Sequence, residues 1–185
     1  MIPERLAALR EKMRAYGVDA YLVPTADYHE SEYVGTYFKA RTYITGFTGS
    51  AGTAVITQKE ACLWTDGRYF VQAAKELAGT GVTLMKMGQE NVPTVEEYLL
   101  ANTKEGMTIG FDGRVVNEML GETLEKTLPE RFLSYRSDLI GEIWSDRPAL
   151  SAEPVWILND VYTGESAADR LAKAVSYTHL TLPTN

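Results

Sequence analysis

The residues best equipped for chemistry fall in three short stretches and at one isolated thiol. Asp27-Tyr28-His29-Glu30-Ser31-Glu32 sets an imidazole among carboxylates, a combination that can hold a cation. A hydrolytic metal centre, however, needs several carboxylates and an imidazole converging from separate strands. One local stretch does not supply that, so a solvated loop is the expectation and no metal ligand is assigned. The second histidine, His179, lies in a terminal segment of different character. Gly46, Gly49 and Gly52 are spaced G-x-x-G-x-x-G and lead into an apolar strand, whereas a phosphate cradle needs G-x-G-x-x-G or a terminal Gly-Lys-Ser/Thr with a helix behind it. A turn built on positive backbone dihedrals is expected there instead. Cys62, between Ala61 and Leu63, reads as a small core residue rather than a nucleophile. Arg68 follows Trp64-Thr65-Asp66-Gly67, a strand end that breaks at Asp-Gly and opens a helix. Ligands of α/β folds gather at the carboxyl ends of strands, and guanidinium offers rigid donors to carbonyls and carboxylates. Against that stands a local ion pair with Asp66, or an arginine lying over Tyr69. Chemistry alone favours the local reading.

The elements that must position these residues can be read from periodicity and punctuation. Residues 3–16 predict a helix with Leu6, Leu9 and Met13 on one face, started by Pro3 and ended by Gly17. Residues 18–23 predict a buried strand stopped by Pro24, and residues 25–41 a loop or short helix. Residues 43–45, 53–57 and 61–65 predict three strands, the last two joined as a hairpin through Gln58-Lys59-Glu60. A helix is expected over 67–77 with Phe70, Val71, Ala74 and Leu77 on one side. A strand follows at 82–87, a helix at 94–102 behind Pro93, a strand at 107–111, a helix at 116–128 and a strand at 132–135. Strands alternating with helices, and one antiparallel pair, predict an α/β fold: a mixed β-sheet flanked by helices.

Composition narrows the function classes. The 185 residues carry a formal net charge of −7, which argues against binding a phosphate backbone, so no nucleic-acid partner is expected. No apolar run of about eighteen residues exists to span a membrane. The start, Met1-Ile2-Pro3-Glu4-Arg5, lacks an apolar signal core, so a cytoplasmic location is expected, and a single cysteine suits it. Residues 1–147 are expected to form one domain, 148–161 a proline-marked linker, and 162–175 the start of a second domain. Residues 176–185, uncharged and β-prone, read as a foreign tail of the kind left by adapter or vector read-through.

Several landmarks stand in order along residues 6–175. They are Tyr21-Leu22-Val23-Pro24, Asp27-Tyr28-His29-Glu30-Ser31-Glu32-Tyr33, Gly46-Phe47-Thr48-Gly49-Ser50-Ala51-Gly52-Thr53-Ala54, Trp64-Thr65-Asp66-Gly67-Arg68-Tyr69-Phe70, Leu84-Met85-Lys86-Met87-Gly88 and Ile143-Trp144-Ser145-Asp146-Arg147-Pro148. Together they resemble the amino-terminal, creatinase-type domain of the cytosolic Xaa-Pro aminopeptidases (the aminopeptidase P branch of the creatinase/prolidase family), truncated before the catalytic domain. The resemblance implies a parent enzyme that removes the residue preceding an amino-terminal proline bond. Its two-metal centre, usually manganese, would sit in a pita-bread domain that this chain lacks, so no catalytic residue and no bound cofactor are assigned here. It further implies that Arg68 reaches the substrate, in some members across a subunit interface, which brings a homodimer into view. It places His29 at the border of the same pocket. The partner implied is a peptide with proline in second position, and this chain alone is expected to be inactive. The competing reading is a stand-alone, non-catalytic peptide- or protein-binding module of creatinase type.

Overall fold

The computed structural model describes residues 1–136 and 138–178. It divides into two compact units, Met1–Leu150 and Ser151–Asn185. The first contains α1 (Ile2–Tyr16), β1 (Ala20–Pro24), α2 (Ala40–Thr45), β2 (Thr53–Thr57), β3 (Ala61–Thr65), α3 (Phe70–Glu76), β4 (Thr83–Lys86), α4 (Val95–Asn102), β5 (Thr108–Gly110), α5 (Glu118–Thr127) and β6 (Phe132–Ser134). The six strands form one sheet in the order β4-β3-β2-β1-β5-β6. β2 pairs antiparallel with both β1 and β3, while β3–β4, β1–β5 and β5–β6 are parallel. The sheet is therefore mixed, and of these six strands β2 alone runs against the rest. The loop entering β2 consequently shares a sheet edge with the loops leaving β1, β3 and β5.

Strand periodicity sorts the core into two layers, because successive side chains point to opposite faces. Tyr21, Val23, Ala54, Ile56, Ala61 and Leu63 pack with Leu6, Leu9 and Met13 of α1, Ile44 of α2 and Ala73 of α3. Ala20, Leu22, Val55, Cys62 and Trp64 pack on the other face with Tyr98 and Leu99 of α4 and Leu124 of α5. Cys62 is buried within β3, and that burial pushes its thiol pKa upward. The helices start and stop for local reasons. Gly17 closes α1 at φ 67°, a conformation that only glycine adopts without strain. A capping box begins α4: Glu97 N donates to Thr94 Oγ1 at 3.1 Å, and Thr94 N donates to Glu97 Oε2 at 2.8 Å.

Two predicted elements differ. Residues 43–45 belong to α2 rather than to a strand. Arg41, Ile44 and Thr45 are its buried residues, a helical spacing that the β-branched pair Ile44-Thr45 obscured. The helix predicted over 67–77 begins as a 3₁₀ turn, Gly67–Tyr69, before α3. That tighter turn shifts the phase, so Ala73 and Leu77 are buried while Val71 is 71% exposed.

The second unit contains α6 (Asp160–Thr163) and α7 (Ala167–Thr178), neither of which buries a residue. α7 runs through Ser176, where the foreign tail was expected to begin; residues 179–185, including His179, lie outside the described residues. No helix among the described residues is long and apolar enough to cross a membrane.

Candidate functional site: the Arg68 groove

The two landmark motifs are docked against each other at the edge where β2 begins and β3 ends. Of the three glycines, only Gly46 takes a positive φ, 83°, closing α2. The expected positive dihedral is thus found at Gly46, while Gly49 and Gly52 serve close approach instead. A Cβ on Gly49 would lie 2.3 Å from Phe47 Cζ and 2.8 Å from Tyr69 Cδ1. One on Gly52 would lie 2.8 Å from the Trp64 carbonyl oxygen. Hydrogen bonds tie the same surfaces. Ser50 Oγ and Tyr69 OH are 2.7 Å apart, and Thr65 Oγ1 donates to Ala51 O at 2.8 Å. Thr48 N donates to Glu76 Oε2 of α3 at 2.8 Å.

Arg41 holds the glycine loop from beneath, a role the sequence reading missed. Only 3% exposed, it donates through Nε to Thr25 Oγ1 at 2.9 Å, through Nη1 to Phe47 O at 2.8 Å, and through Nη2 to Gly49 O. Burial lowers its pKa to about 10, partly opposed by the field of Glu76. Its segment has no periodicity, and its acceptors are loop oxygens that only the folded chain collects.

Arg68 projects from the turn after β3. Asp66 Oδ1 accepts from Arg68 N at 3.0 Å and from Nε at 2.9 Å, while Oδ2 accepts from Nη2 at 2.9 Å. The guanidinium bonds hold the Asp66 carboxyl at about 2, and Asp66 in turn raises the arginine's pKa. The local ion pair is therefore formed, and Arg68 also lies 5.4 Å from the centre of the Tyr69 ring. Its side chain nevertheless stays 69% exposed, and nothing among the described residues bonds Nη1. Arg68 lines a groove of about 320 Å³ together with Thr25, Ser31, Glu32, Ser50 and Gly52. Glu32 is near enough for its charge to act on Arg68. A hollow of about 210 Å³ adjoins, sharing Thr25 and Ser50 and carrying Lys39 and Arg41. A roomier hollow of about 600 Å³, with Asp19, Lys59, Glu60 and Lys104 in its lining, lies at the opposite sheet edge, away from both landmark motifs. The Arg68 groove offers donors for a carbonyl or carboxylate on one wall and a carboxylate for an amine on the other.

The remaining sequence candidates divide. Asp27 is 8% exposed and serves its own loop: Oδ1 accepts from His29 N at 2.8 Å and Ser31 N at 3.0 Å, bonds that lower its pKa. His29 is exposed and does not line the Arg68 groove, although its neighbours Ser31 and Glu32 do. Among the described residues no group of three or more His, Cys, Asp or Glu could hold a metal ion. The described residues therefore do not fit a metal centre.

Comparison with known proteins supplies the lineage. The chain is 43% identical over 174 residues to a Talaromyces marneffei protein named "Probable Xaa-Pro aminopeptidase P", covering 91% of this chain and 26% of that protein. It is 40% identical over 166 residues to a Tuber melanosporum protein of the same name, of which it spans 27%. The crystal structure of a Caenorhabditis elegans X-prolyl aminopeptidase, described as a cytosolic enzyme with a di-nuclear active site, superposes with a TM-score of 0.83. Identity there is 34%, over 96% of this chain and 31% of that one. The N-terminal domain of a cytoplasmic peptidase from Mycobacterium tuberculosis matches at 25% identity and a TM-score of 0.55, over 76% of this chain and 98% of its own. The chain thus spans roughly a quarter to a third of the full-length relatives. The sequence profile of the Creatinase/Prolidase N-terminal domain matches residues 5–143, and the chain belongs to that family, corresponding to the amino-terminal domain of Xaa-Pro aminopeptidases.

Proposed function

We propose that the parent of this chain is a manganese-dependent Xaa-Pro aminopeptidase, to which this domain lends Arg68 as a substrate contact. The observation that carries the reading is the double constraint on Arg68. Two of its side-chain nitrogens are fixed by Asp66, and the exposed side chain lines a groove that Glu32 also lines. Such an arrangement suits a short zwitterionic or carbonyl-rich ligand, and a peptide with proline in second position is both. In this reading the two-metal centre belongs to the part of the parent that this chain does not span. This chain then binds and orients but does not hydrolyse. His29, outside the groove lining, is assigned at most a bordering role. A cytoplasmic location and a homodimer, in which the domain serves its own or a neighbouring site, complete the proposal. The division into residues 1–147, a linker over 148–161 and a second-domain start at 162–175 is retained with it.

The test is an NMR titration of the chain with Ala-Pro-Ala, following the amides of Ser31, Ser50 and Arg68. Those amides should shift, and Arg68→Ala should weaken binding about tenfold, the effect of losing hydrogen bonds from a charged donor. Undiminished binding by the variant would remove Arg68 from the ligand site. With manganese added, the chain should release no alanine. Turnover abolished by a chelator would contradict the placement of the chemistry elsewhere.

A further inference from the structure

Asp-Gly-Arg occurs twice, and both copies are built alike. Asp66-Gly67-Arg68 leaves β3, and Asp112-Gly113-Arg114 leaves β5. In the second copy Asp112 Oδ1 accepts from Arg114 N at 3.1 Å and from Nε at 2.9 Å, and Oδ2 accepts from Nη2 at 2.8 Å. The surroundings differ. Arg68 has one carboxylate and a free edge. Arg114 gives Nη2 to a second carboxylate as well, Asp138, at 2.9 Å. Asp138 also receives Arg147 Nη1 at 2.5 Å and Gly141 N at 2.7 Å, so it is a hub for two arginines and a turn.

From this hub, contacts reach one segment of chain, residues 28–38. The Arg114 guanidinium lies 5.9 Å from the centre of the Tyr28 ring. Arg147 covers the Tyr37 ring at 3.9 Å and donates through Nε to Tyr37 O at 2.9 Å. Asn117, the N-cap of α5, donates through Nδ2 to Glu30 Oε1. Tyr28 and Tyr37 each meet Phe38 edge-on, at 4.7 and 5.0 Å. Glu30 sits at φ 55°, a conformation that a non-glycine residue keeps only when its surroundings impose it. The segment so held carries Ser31 and Glu32, which line the groove with Arg68.

We propose that the Asp112–Arg114–Asp138–Arg147 cluster positions the 28–38 segment and thereby sets the groove opposite Arg68. Arg114 is then a positioning residue for the ligand that Arg68 contacts, and this role rests on the groove being a peptide site. One copy of the tripeptide leaves its arginine with a single carboxylate and open to ligand; the other ties its half-exposed arginine to a second carboxylate beside the segment that carries Ser31 and Glu32.

Amide hydrogen exchange and Ala-Pro-Ala titration of Arg114→Gln and Arg68→Ala test this. Arg114→Gln should speed exchange at Glu30 and Ser31 about tenfold and weaken peptide binding several-fold, with β2 and β3 amides unchanged. Arg68→Ala should weaken binding while leaving exchange over 28–38 as it was. Faster exchange in Arg114→Gln with unaltered affinity would overturn the positioning role, as would exchange unaltered throughout. Should Arg114→Gln not fold, Arg147→Lys decides. Lysine keeps a charge for Asp138 but loses the fork that also reaches Tyr37 O, so the same loosening and weakened binding are expected. If the unaltered chain binds no peptide, the groove reading fails and the ligand-positioning role fails with it. The exchange comparison then still decides whether the cluster holds the segment.

Discussion

Asp66 makes two kinds of bond at once, capping the turn after β3 and gripping the guanidinium two residues on. Its carboxyl is held at about 2 against an ordinary 3.8, first by the arginine side chain and then by the arginine amide. A depressed carboxylate contributes stability above its unfolded pKa and loses it as pH falls toward the folded value. Asp66→Asn removes the charge but keeps an oxygen for the cap. Wild type should therefore be more stable than the variant at about pH 6, and the gap should close as pH falls from about 4 to about 2, read as urea midpoints. A gap independent of pH would mean that the charge contributes nothing. The turn that carries Arg68 was legible in sequence because Asp-Gly follows an evident strand end. Arg114 carried the same signal, but its partner Asp138 comes from residues 24 positions away and only the fold brings it near. His29 is exposed and is not among the groove's lining residues, although its neighbours Ser31 and Glu32 are.

At the level of elements, the reversal of β2 matters most. Because β2 runs against β1 and β3, the glycine loop that feeds it sits beside the turn that presents Arg68. Gly52 makes that proximity possible, and Gly52→Ala would press a methyl against the Trp64 carbonyl, backbone that cannot rotate aside. Such overpacking should cost about 1–3 kcal/mol in chemical denaturation and lower peptide affinity through a displaced Ser50. Stability equal to wild type would show that the loop has room to shift. The sheet itself was readable: β1, β2 and β3 are buried on both faces, so each appears as a short continuous apolar run bounded by turn residues. The strand order was not readable, because pairing depends on contacts between residues far apart in sequence. α2 was misread since six residues are too few to display a helical period against β-branched side chains.

For the molecule as a whole, stability should reside in the first unit. The described residues of the second unit include no buried side chain, and Val155 and Ile157 are 99% and 93% exposed. Cutting the chain after Leu150 should thus leave the calorimetric Tm within about 2 °C of the longer chain. Amides of α7 should exchange without global protection. A substantial fall in Tm would show that residues 151–178 contribute to the cooperative unit.

The lone thiol gives this chain an internal gauge that needs no engineering. Cys62 lies in the middle of β3, in the core between the sheet and α4, with a thiol that burial keeps protonated. A thiol reagent in solvent can reach it only when the helical layer over that face of the sheet opens. The rate of covalent labelling then clocks that opening, at a single atom, with no second cysteine to confuse the count.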